Sequence, residues 1–350
     1  MATAKLIGSL NTDGSAYSIA MQGHLTFIAN NYQGLKIIDI SQLKKPELIG
    51  SLNTDNLAKS VAVHNHLVFI ANRGEGVKII DITEPQNPEL IGSFDTGGEA
   101  CDITVRGNLV FIADGRKGLE IIDVSQPEKP HLVGSWDTDG WAFGVEVQGD
   151  LAFIAAGRKG LKIIDVSQPE KPQLISSLRT YGIALDVEVQ HDLAFIANNS
   201  RHAEGLRIID VSHPKTPEII GTAITDRFAE SVEVHNNLVF ASDSLRGLKV
   251  IDVSHPKSPE LIGKLDMGWA FDVEIRHNLA FIADGGGLKI ANISEFKGSA
   301  LKLNGSPRPD ILLGGEFNDT LSGHERNDRL NGNEGNDLLI GGSGNDTLFG

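Results

Sequence analysis

The segment GLEIIDVSQPEKPHLVGS, at residues 118–135, returns at nearly regular intervals along most of the chain. Its glycine and the aliphatic residue that follows recur at spacings of 42, 42, 42, 45, 42 and 40 residues. The seven glycines are Gly34, Gly76, Gly118, Gly160, Gly205, Gly247 and Gly287. A period of this length indicates supersecondary units that stack against their neighbours, and it favours the blades of a β-propeller.

Each copy predicts four strands joined by short turns. In the third copy they cover residues 100–105, 109–113, 119–124 and 131–136. The second and third strands, LVFIA and LEIIDV, are almost continuously apolar, which is typical of strands buried on both faces. The blades of a propeller bury both faces against their neighbours, and Gly and Pro in the turns stop the strands. The sequence therefore predicts an all-β fold.

The number of strands predicts how the ring closes. A copy of the fourth strand precedes the first blade at residues 5–10, and no good copy follows the last third strand at residues 288–293. We therefore expect the N-terminal strand to complete the last blade. This arrangement gives seven blades and removes an exposed sheet edge.

The seven copies agree in register over residues 4–294, and they resemble the LVIVD-repeat family of β-propellers. This resemblance implies a fold and carries little information on activity. We assign residues 1–295 to a seven-bladed propeller, residues 296–305 to a linker and residues 306–350 to a second domain.

A second repeat, with a period of nine residues, fills residues 306–350. The copies are SPRPDILLG, GEFNDTLSG, HERNDRLNG, NEGNDLLIG and GSGNDTLFG. They resemble the RTX, or haemolysin-type, calcium-binding nonapeptide repeat, most closely in the last two copies. The resemblance implies a short parallel β-roll that binds Ca²⁺.

The spacing of the nonamers explains how such a roll would hold calcium. Glycines allow a tight turn, three residues form a strand with an inward Leu, and two nonamers complete one coil. Aspartates 18 residues apart then face one another, and Ca²⁺, which takes six or more oxygen ligands, fits between them. The expected pairs are Asp319 with Asp337, Asp328 with Asp346 and, weakened by Pro307 and Pro309, Asp310 with Asp328.

The nonamers also show departures from the ideal pattern. Phe317 and Arg326 stand where glycine is preferred, which weakens the prediction for two middle turns. An acidic disordered tail is the alternative, and it is the expected state without calcium. The sequence stops at Gly350 on a repeat boundary, and a roll of so few coils is too small to be stable on its own. We therefore expect a longer native protein.

An aspartate stands near the end of the third strand in six blades and is replaced by Asn292 in the last one. The six are Asp39, Asp81, Asp123, Asp165, Asp210 and Asp252. A catalytic role is one interpretation of a recurring carboxylate. A residue present in every blade is better explained as serving the blade. We predict that these side chains accept backbone N–H groups in the turn that follows.

Recognition is expected where the copies differ. The connections between blades and the loops between second and third strands fall on one face, because the strands alternate in direction. Large apolar side chains near the start of the first strands predict a binding patch at the channel mouth, formed by Trp141, Phe143, Phe228, Trp269 and Phe271. Packing between blades is the alternative for these side chains.

Basic residues in the second-to-third loops predict a positive ring around this mouth, formed by Arg116, Lys117, Arg158 and Lys159. On an otherwise acidic molecule, such a ring suits an anionic glycan or an acidic protein segment. Ordinary solvated loop charges are the alternative.

Composition and targeting signals exclude several classes of function. The net charge of −15 makes nucleic acid and anionic membranes poor partners. No apolar run approaches the ~20 residues of a membrane span, and the N-terminal residues show no secretory signal. Cys101 is the only cysteine, so an internal disulfide is excluded. The RTX resemblance implies type I export through an uncleaved C-terminal signal, as in Gram-negative bacteria, and hence an extracellular or cell-surface location.

Three hypotheses follow. The leading one is a non-enzymatic, secreted or cell-surface calcium-binding protein, with the propeller as a recognition or adhesion scaffold and the roll as a calcium-dependent folding and export module. Its partner would be a protein or glycan on the loop face. The alternative is an extracellular glycan lyase or hydrolase at the channel mouth, for which no catalytic motif is present and the candidate acids are Glu99, Glu146, Glu230 and Asp272. The third is a structural spacer in a large adhesin.

Overall fold

The protein is described here by a computed structural model that covers residues 2–200, 205–225, 229–243, 246–296 and 300–350. Within these ranges the chain forms seven antiparallel blade sheets and two small parallel sheets. The predicted all-β class, the seven blades and the short C-terminal parallel roll are confirmed. In the described ranges, no helix has the length and apolar character needed to cross a bilayer.

The strands of the propeller follow one another as the repeat predicts. The N-terminal segment forms β1 (Ala2–Thr3) and β2 (Lys5–Asn11). Blade 1 contains β3 (Ser18–Gln22), β4 (Leu25–Ala29), β5 (Leu35–Asp39) and β6 (Glu47–Leu52). Blade 2 contains β7 (Ser60–His64), β8 (Leu67–Ala71), β9 (Val77–Asp81) and β10 (Glu89–Phe94). Blade 3 contains β11 (Asp102–Arg106), β12 (Leu109–Ala113), β13 (Leu119–Asp123) and β14 (His131–Trp136). Blade 4 contains β15 (Gly144–Gln148), β16 (Leu151–Ala155), β17 (Leu161–Asp165) and β18 (Gln173–Leu178).

The later blades have longer first strands. Blade 5 contains β19 (Ile183–Gln190), β20 (Leu193–Asn199), β21 (Leu206–Asp210) and β22 (Glu218–Ala223). Blade 6 contains β23 (Ala229–His235), β24 (Leu238–Asp243), β25 (Gly247–Asp252) and β26 (Glu260–Leu265). Blade 7 contains β27 (Ala270–Arg276), β28 (Leu279–Asp284) and β29 (Gly287–Asn292), and a 3₁₀ turn follows at Ser294–Phe296.

The N-terminal segment contacts the last two blades. Strand β2 pairs antiparallel with β29, from Lys5 opposite Asn292 to Asn11 opposite Gly287. Strand β1 pairs in parallel with β26 of blade 6, which the sequence did not predict. The first strand of blade 7 packs beside the first strand of blade 1. The two ends of the propeller sequence therefore meet at one junction.

The hydrophobic core lies between neighbouring blades. One cluster combines Leu35 and Ile37 of blade 1 with Val61 and Ile80 of blade 2, and the same pattern repeats around the ring. The phenylalanine in the second strand of each of the seven blades is almost completely buried, as Phe195 illustrates. Burial on both faces explains why these strands are almost continuously apolar.

The aspartate that ends the third strand, replaced by Asn292 in blade 7, has the role predicted from the sequence. In blade 3, Oδ1 of Asp123 accepts the backbone N–H of Ser125 at 2.7 Å. The other blades repeat this bond, with Asn292 and Ser294 in blade 7. This prediction is confirmed.

In several blades, a second side-chain hydrogen bond joins the inter-blade connection to the second-to-third loop. Thr12 donates its hydroxyl hydrogen to Oδ1 of Asn30 at 2.8 Å, and the bond recurs in blades 2 and 5. Short backbone bridges, such as Asn31 with Ala58, tie the same loop to the next blade. The connections and these loops therefore lie on one face of the propeller, as predicted, and we call it the loop face.

The C-terminal roll contains two three-stranded parallel sheets. One has β30 (Lys302–Asn304), β32 (Thr320–Glu325) and β34 (Leu338–Ser343), and the other has β31 (Ile311–Leu313), β33 (Arg329–Asn331) and β35 (Thr347–Phe349). The strands pair with a shift of 18 residues, as in Leu312 opposite Leu330. The predicted two-nonamer coil is therefore observed.

The roll starts earlier than the sequence boundary suggested. Residues 296–305 were assigned to a linker, but Lys302–Asn304 pairs with Thr320 to Ser322 and Leu303 belongs to the roll core. The reason is that Leu303 stands 18 residues before Leu321, at the core position of the repeat. Phe296 packs into the core between blades 6 and 7.

The roll packs on the face of the propeller opposite to the loop face. Leu313 enters the core of blades 5 and 6, and its backbone N–H donates to the carbonyl of Ser254 at 3.0 Å. Arg329 forms ion pairs with Asp192 and Asp210, and His235 Nε2 lies 2.9 Å from Oε1 of Glu316. These contacts leave the loop face uncovered by the roll.

Candidate functional site

A cavity of about 310 Å³ opens on the loop face at the mouth of the central channel. Every blade contributes one residue that lies just before its first strand or within the first three residues of that strand. These residues are Tyr17, Lys59, Cys101, Phe143, Leu185, Glu230 and Phe271. We call this space the mouth cavity. Its size is within the range of small-ligand sites.

Aromatic side chains form two walls of the mouth cavity. Tyr17 of blade 1 and Phe271 of blade 7 have ring centroids 4.9 Å apart. Trp141 and Phe143, both on blade 4, stack with centroids 5.9 Å apart. Because blade 4 lies across a seven-membered ring from the junction of blades 7 and 1, the two walls face each other. Trp269 is 54% exposed and contacts Phe271 edge-on, which extends one wall outward.

The structure therefore brings together four of the five apolar residues that the sequence selected. Trp141, Phe143 and Phe271 line the cavity and Trp269 lies beside it. Phe228 lies outside the described residues.

The predicted basic residues do not form one uniform ring. The guanidinium of Arg116 lies over the Trp141 ring at 5.5 Å. Lys117 donates to the carbonyl of Thr96 at 3.0 Å, Lys159 pairs with Asp139 at 2.6 Å, and Arg158 is exposed. Two of the four cations are therefore engaged with the inter-blade connection that precedes their blade, and Arg116 lies against the aromatic wall.

Three aspartates form the floor of the mouth cavity. Oδ2 of Asp102 accepts the backbone N–H of Val145 at 2.9 Å, which ties blade 3 to blade 4. Asp186 makes the equivalent bond to Val232 and Asp272 to Ile19. Each carboxylate therefore joins its blade to the next. Burial raises the pKa of Asp186 to about 8 and that of Asp272 to about 6.

A ring of glutamates lines the channel below this floor. Glu146, Glu188, Glu233 and Glu274 occupy the same position in blades 4 to 7, each opposite the buried phenylalanine of the second strand. Burial, and then the charge of neighbouring channel carboxylates, raises the pKa of Glu146 and Glu274 to about 7. The pKa values of Glu188 and Glu233 are raised well above the usual range for the same reasons. We call these residues the glutamate ring.

The roll brings the predicted aspartate pairs together. Oδ1 of Asp337 accepts the backbone N–H of Asp319 at 2.8 Å, and Oδ1 of Asp346 accepts that of Asp328 at 2.9 Å. Oδ1 of Asp328 accepts the N–H of Asp310 at 2.9 Å. Each carboxylate thus sits directly over the aspartate 18 residues before it, as the repeat predicted.

The second carboxylate oxygens show which turns suit a cation. Oδ2 of Asp319 accepts the N–H of Gly315 at 2.6 Å, and Oδ2 of Asp310 accepts from Ser306. By contrast, Oδ2 of Asp328 and Oδ2 of Asp337 are buried with no hydrogen-bond partner among the described residues. Burial, together with the charges of Asp346 and Asp310, raises the pKa of Asp328. Asp328 and Asp337 precede strands of different sheets of the roll, so each of these oxygens fits its own site for a hard cation.

Side chains alone do not complete such a site, because no three His, Cys, Asp or Glu side chains converge anywhere in the described ranges. Backbone carbonyls in the same turns are candidates for the remaining oxygen ligands. The carbonyl of Phe317 lies against Gly335 and that of Arg326 against Gly344, so closely that a Cβ on either glycine would overlap the oxygen. Arg326 itself adopts a φ of 77°, which shows that the turn forms without glycine there. The candidate donors in these turns are therefore all oxygens, the ligands that calcium prefers.

Several residues of these sites were not predicted. Glu146 was selected as an isolated candidate, although the repeated V-E-V/I pattern at Glu146, Glu188, Glu233 and Glu274 predicts a ring. Asp102 and Asp186, which line the mouth cavity, were not selected. No repeat pattern predicts the contacts of His191 and His235 with Asn331 and Glu316 of the roll.

Known structures share the propeller fold. A computationally designed protein, Ika8, is 11% identical with a TM-score of 0.62, covering 83% of this chain and 100% of that one. The WD40 β-propeller domain of Doa1 is 10% identical with a TM-score of 0.68, covering 85% and 99%. The β-propeller domain of Myceliophteria thermophila Cps50 (Swd1) is 12% identical with a TM-score of 0.67, covering 83% and 100%. At these identities the likeness concerns the fold alone. No curated protein matches the chain.

Two family descriptions match the sequence directly. The LVIVD repeat matches residues 13–54, 57–96, 97–138, 139–180, 181–225, 226–266 and 267–306. The RTX calcium-binding nonapeptide repeat matches residues 304–325 and 313–348. The chain belongs to the LVIVD-repeat family, and it carries RTX calcium-binding nonapeptide repeats after its propeller.

Proposed function

We propose that the chain is a non-enzymatic, secreted or cell-surface calcium-binding protein whose propeller recognises a partner at the loop face. The observation that carries this proposal is the mouth cavity, which all seven blades line with dissimilar residues. A purely structural spacer has no need for such a cavity. The roll contacts the opposite face, so the cavity stays accessible while the roll is docked.

The roll acts in this proposal as a folding and export module. Asp328 and Asp337 would contribute carboxylate oxygens and the turn carbonyls would complete the shell. Bound calcium would supply the positive charge that offsets the mutual repulsion of the stacked aspartates. In low calcium the roll stays unfolded, which suits passage through an export channel, and it folds against the propeller outside the cell.

A glycan and protein array, probed with the full chain in millimolar calcium, tests recognition. The expected result is binding to a restricted set of partners that Trp141→Ala reduces. The matched control is Leu132→Ala, which removes a partly exposed apolar side chain from an outer strand, 46% exposed. Binding that both variants lower equally, or that neither lowers, would remove the loop face from the proposal.

Detection of the chain in fractionated cultures tests the location. The expected result is recovery from the medium or the cell surface. Confinement to the cytosol would contradict the export role while leaving the array result unaffected.

An extracellular glycan lyase or hydrolase is the second candidate, because Glu99, Glu230 and Asp272 line one cavity. Two of these carboxylates are already engaged: Glu99 pairs with Arg73 at 2.7 Å, and Asp272 accepts the N–H groups of Ile19 and Val273. Turnover of a glycan from the array that Glu230→Gln abolishes would favour the enzyme. Binding without turnover favours the recognition protein.

A further inference from the structure

The mouth cavity has an acidic interior beneath its aromatic walls. Five carboxylates line it, namely Glu99, Asp102, Asp186, Glu230 and Asp272. The basic groups in the same lining are Lys59 and Arg73, and Arg73 is paired with Glu99. Four carboxylates therefore share the cavity with one ammonium group. The sign of this interior is opposite to the basic ring that the loop sequences suggested.

Protonation of the floor aspartates lowers the excess of negative charge in the mouth cavity without removing it. Burial raises the pKa of Asp186 to about 8, so that carboxyl is mostly neutral at pH 7, whereas Asp272, at about 6, is mostly ionised. The glutamate ring lies two residues further along the same first strands, as Glu188 does after Asp186 and Glu274 after Asp272. Its raised pKa values limit the negative charge that it adds. A low-dielectric channel mouth strengthens the attraction of such a site for a cation.

Both aromatic walls already hold a cation from the chain itself. Nζ of Lys59 lies 4.6 Å from the ring centroid of Tyr17. The guanidinium of Arg116 lies 5.5 Å from the ring centroid of Trp141. The electron-rich faces of aromatic rings attract ammonium and guanidinium groups at this range. The chain therefore shows which chemistry each wall accepts.

On the premise of the recognition role proposed above, we propose that the mouth cavity binds an organic cation. The guest is an alkylammonium or guanidinium group, held between the Tyr17–Phe271 wall and the Trp141–Phe143 wall above the aspartate floor. A lysine or arginine side chain of a partner protein and a free polyamine present the same group. The bound cation offsets the carboxylate excess, and its alkyl stem contacts the rings.

The geometry favours an organic cation over the two other charged classes. An anionic glycan would bring its charge next to Asp102, Glu230 and Asp272, which repel it. A bare metal ion would lack a converging set of ligands, since no three acidic, His or Cys side chains meet in the described ranges. It would also gain little from the apolar faces of the aromatic walls.

Calorimetric titration of the full chain in millimolar calcium tests the proposal with three probes of equal length: n-butylammonium, n-butanol and butyrate. The expected result is binding of the ammonium alone, weakening as salt rises because surface-accessible charges are screened. Glu230→Gln should weaken it about three- to tenfold, since one cavity charge is removed. Phe271→Leu should weaken it about two- to thirtyfold through loss of a cation–π contact.

The matched control is Glu128→Gln, which removes an exposed carboxylate from a third-to-fourth turn on the opposite face. It should leave the ammonium affinity unchanged. Separate titrations with spermidine and with a lysine-containing peptide identify the source of the group in nature. Equal binding of butanol and butylammonium, or ammonium binding that neither cavity variant weakens, overturns the proposal.

Failure of this proposal is distinguishable from failure of the recognition role. If the array identifies a partner whose binding depends on Trp141 and the ammonium probe does not bind, the loop face recognises a partner and the organic cation is wrong. If no partner depends on Trp141, the recognition role itself fails. An ammonium probe that binds in that case identifies a small amine as the guest.

Discussion

The propeller and the roll both bury carboxylates, and they compensate the charge in different ways. In the propeller, Asp123 and its equivalents accept backbone N–H groups, and Asp102, Asp186 and Asp272 accept them from the next blade. In the roll, one oxygen of Asp328 and one of Asp337 are buried with no partner in the described part of the chain. These propeller aspartates receive backbone donors, although Oδ2 of Asp114 and Oε2 of Glu120 in blade 3 are also buried without a hydrogen-bond partner among the described residues. In the roll, the unpartnered oxygens belong to the repeated aspartates themselves, which leaves a place for a cation.

The difference follows from how each repeat meets its neighbours. A closed ring of blades covers both faces of each core strand, as the complete burial of Ile37 and Ile163 shows. The roll is an open stack in which Leu321 and Leu330 are fully buried and Leu348 is 47% exposed. Its apolar core is small, so a cation between the coils has a larger share in its stability.

Calcium removal should produce the largest difference between the two regions. With calcium chelated, the expected result is loss of amide protection throughout β30–β35, with protection retained in the blades. Hydrogen exchange followed by mass spectrometry measures both at once. Trp136, Trp141 and Trp269 are the only tryptophans and all lie in the propeller, so their fluorescence should change little. A roll that stays protected in chelator would show that its core suffices without an ion.

Substituting the unpartnered carboxylates should produce the next largest effect. Asn at position 337 keeps an oxygen to accept the N–H of Asp319 and removes the charge. We expect Asp337→Asn and Asp328→Asn each to weaken calcium binding by about tenfold or more, which is about 1.4 kcal/mol. Calcium titration followed by circular dichroism measures this change.

The control for these substitutions is Glu334→Gln, because Glu334 is an exposed acid in the same part of the roll. Its charge lies outside the aspartate stack, so the calcium affinity should change by less than about threefold. An equal loss in all three variants would mean that overall negative charge, and not the stacked carboxylates, attracts the ion.

The sequence predicted those parts of the molecule that every repeat contains. Leu312 and Leu330 occupy the core positions that the repeat predicted, and Asp123 accepts the turn amide as predicted. These predictions were possible because the same residue in many copies must have the same local structure. The mouth cavity has the opposite origin. Its polarity depends on Lys59, Asp102 and Glu230, which stand in different copies and meet only when the ring closes.

The docking of the roll was beyond prediction for a related reason. Arg329 pairs with Asp210 across 119 positions of sequence, and neither residue departs from its own repeat in a way that identifies the other. The glutamate ring could be predicted in part. Its four members were visible as a column in the aligned repeats, but only the register of the first strands shows that the column faces the channel.

The glutamate ring predicts a smaller, pH-dependent effect that has no calcium requirement. The folded pKa of Glu146 and Glu274 is about 7, and an unfolded glutamate has a value of 4.5. Between these values the folded state binds protons that the unfolded state does not, so the free energy of unfolding falls as pH rises from about 5 to about 8. Denaturant unfolding of the full chain in chelator, followed by tryptophan fluorescence, measures the slope.

Removing two members of the ring should flatten this dependence. In the double variant Glu146→Gln and Glu274→Gln, the change in unfolding free energy between about pH 5 and about pH 8 should shrink by about 1–3 kcal/mol. Glu128→Gln, on the exposed turn, should leave the slope unchanged. If the pH dependence of the unfolding free energy is unchanged in the double variant, the groups that bind these protons lie outside the glutamate ring.

The smallest effect expected is at a single turn. Asp123→Ala removes the acceptor of the Ser125 N–H and should lower the free energy of unfolding by about 1 kcal/mol. Asp123→Asn keeps an acceptor oxygen, so it should cost about half as much. Because Ser125 lowers the pKa of Asp123, the carboxylate is the stronger acceptor, and the stability gap between the native protein and Asp123→Asn should close once pH falls below that pKa. A propeller turn that needed calcium would instead lose stability in chelator, and this turn should show no such loss because its donor is a backbone amide of the same blade.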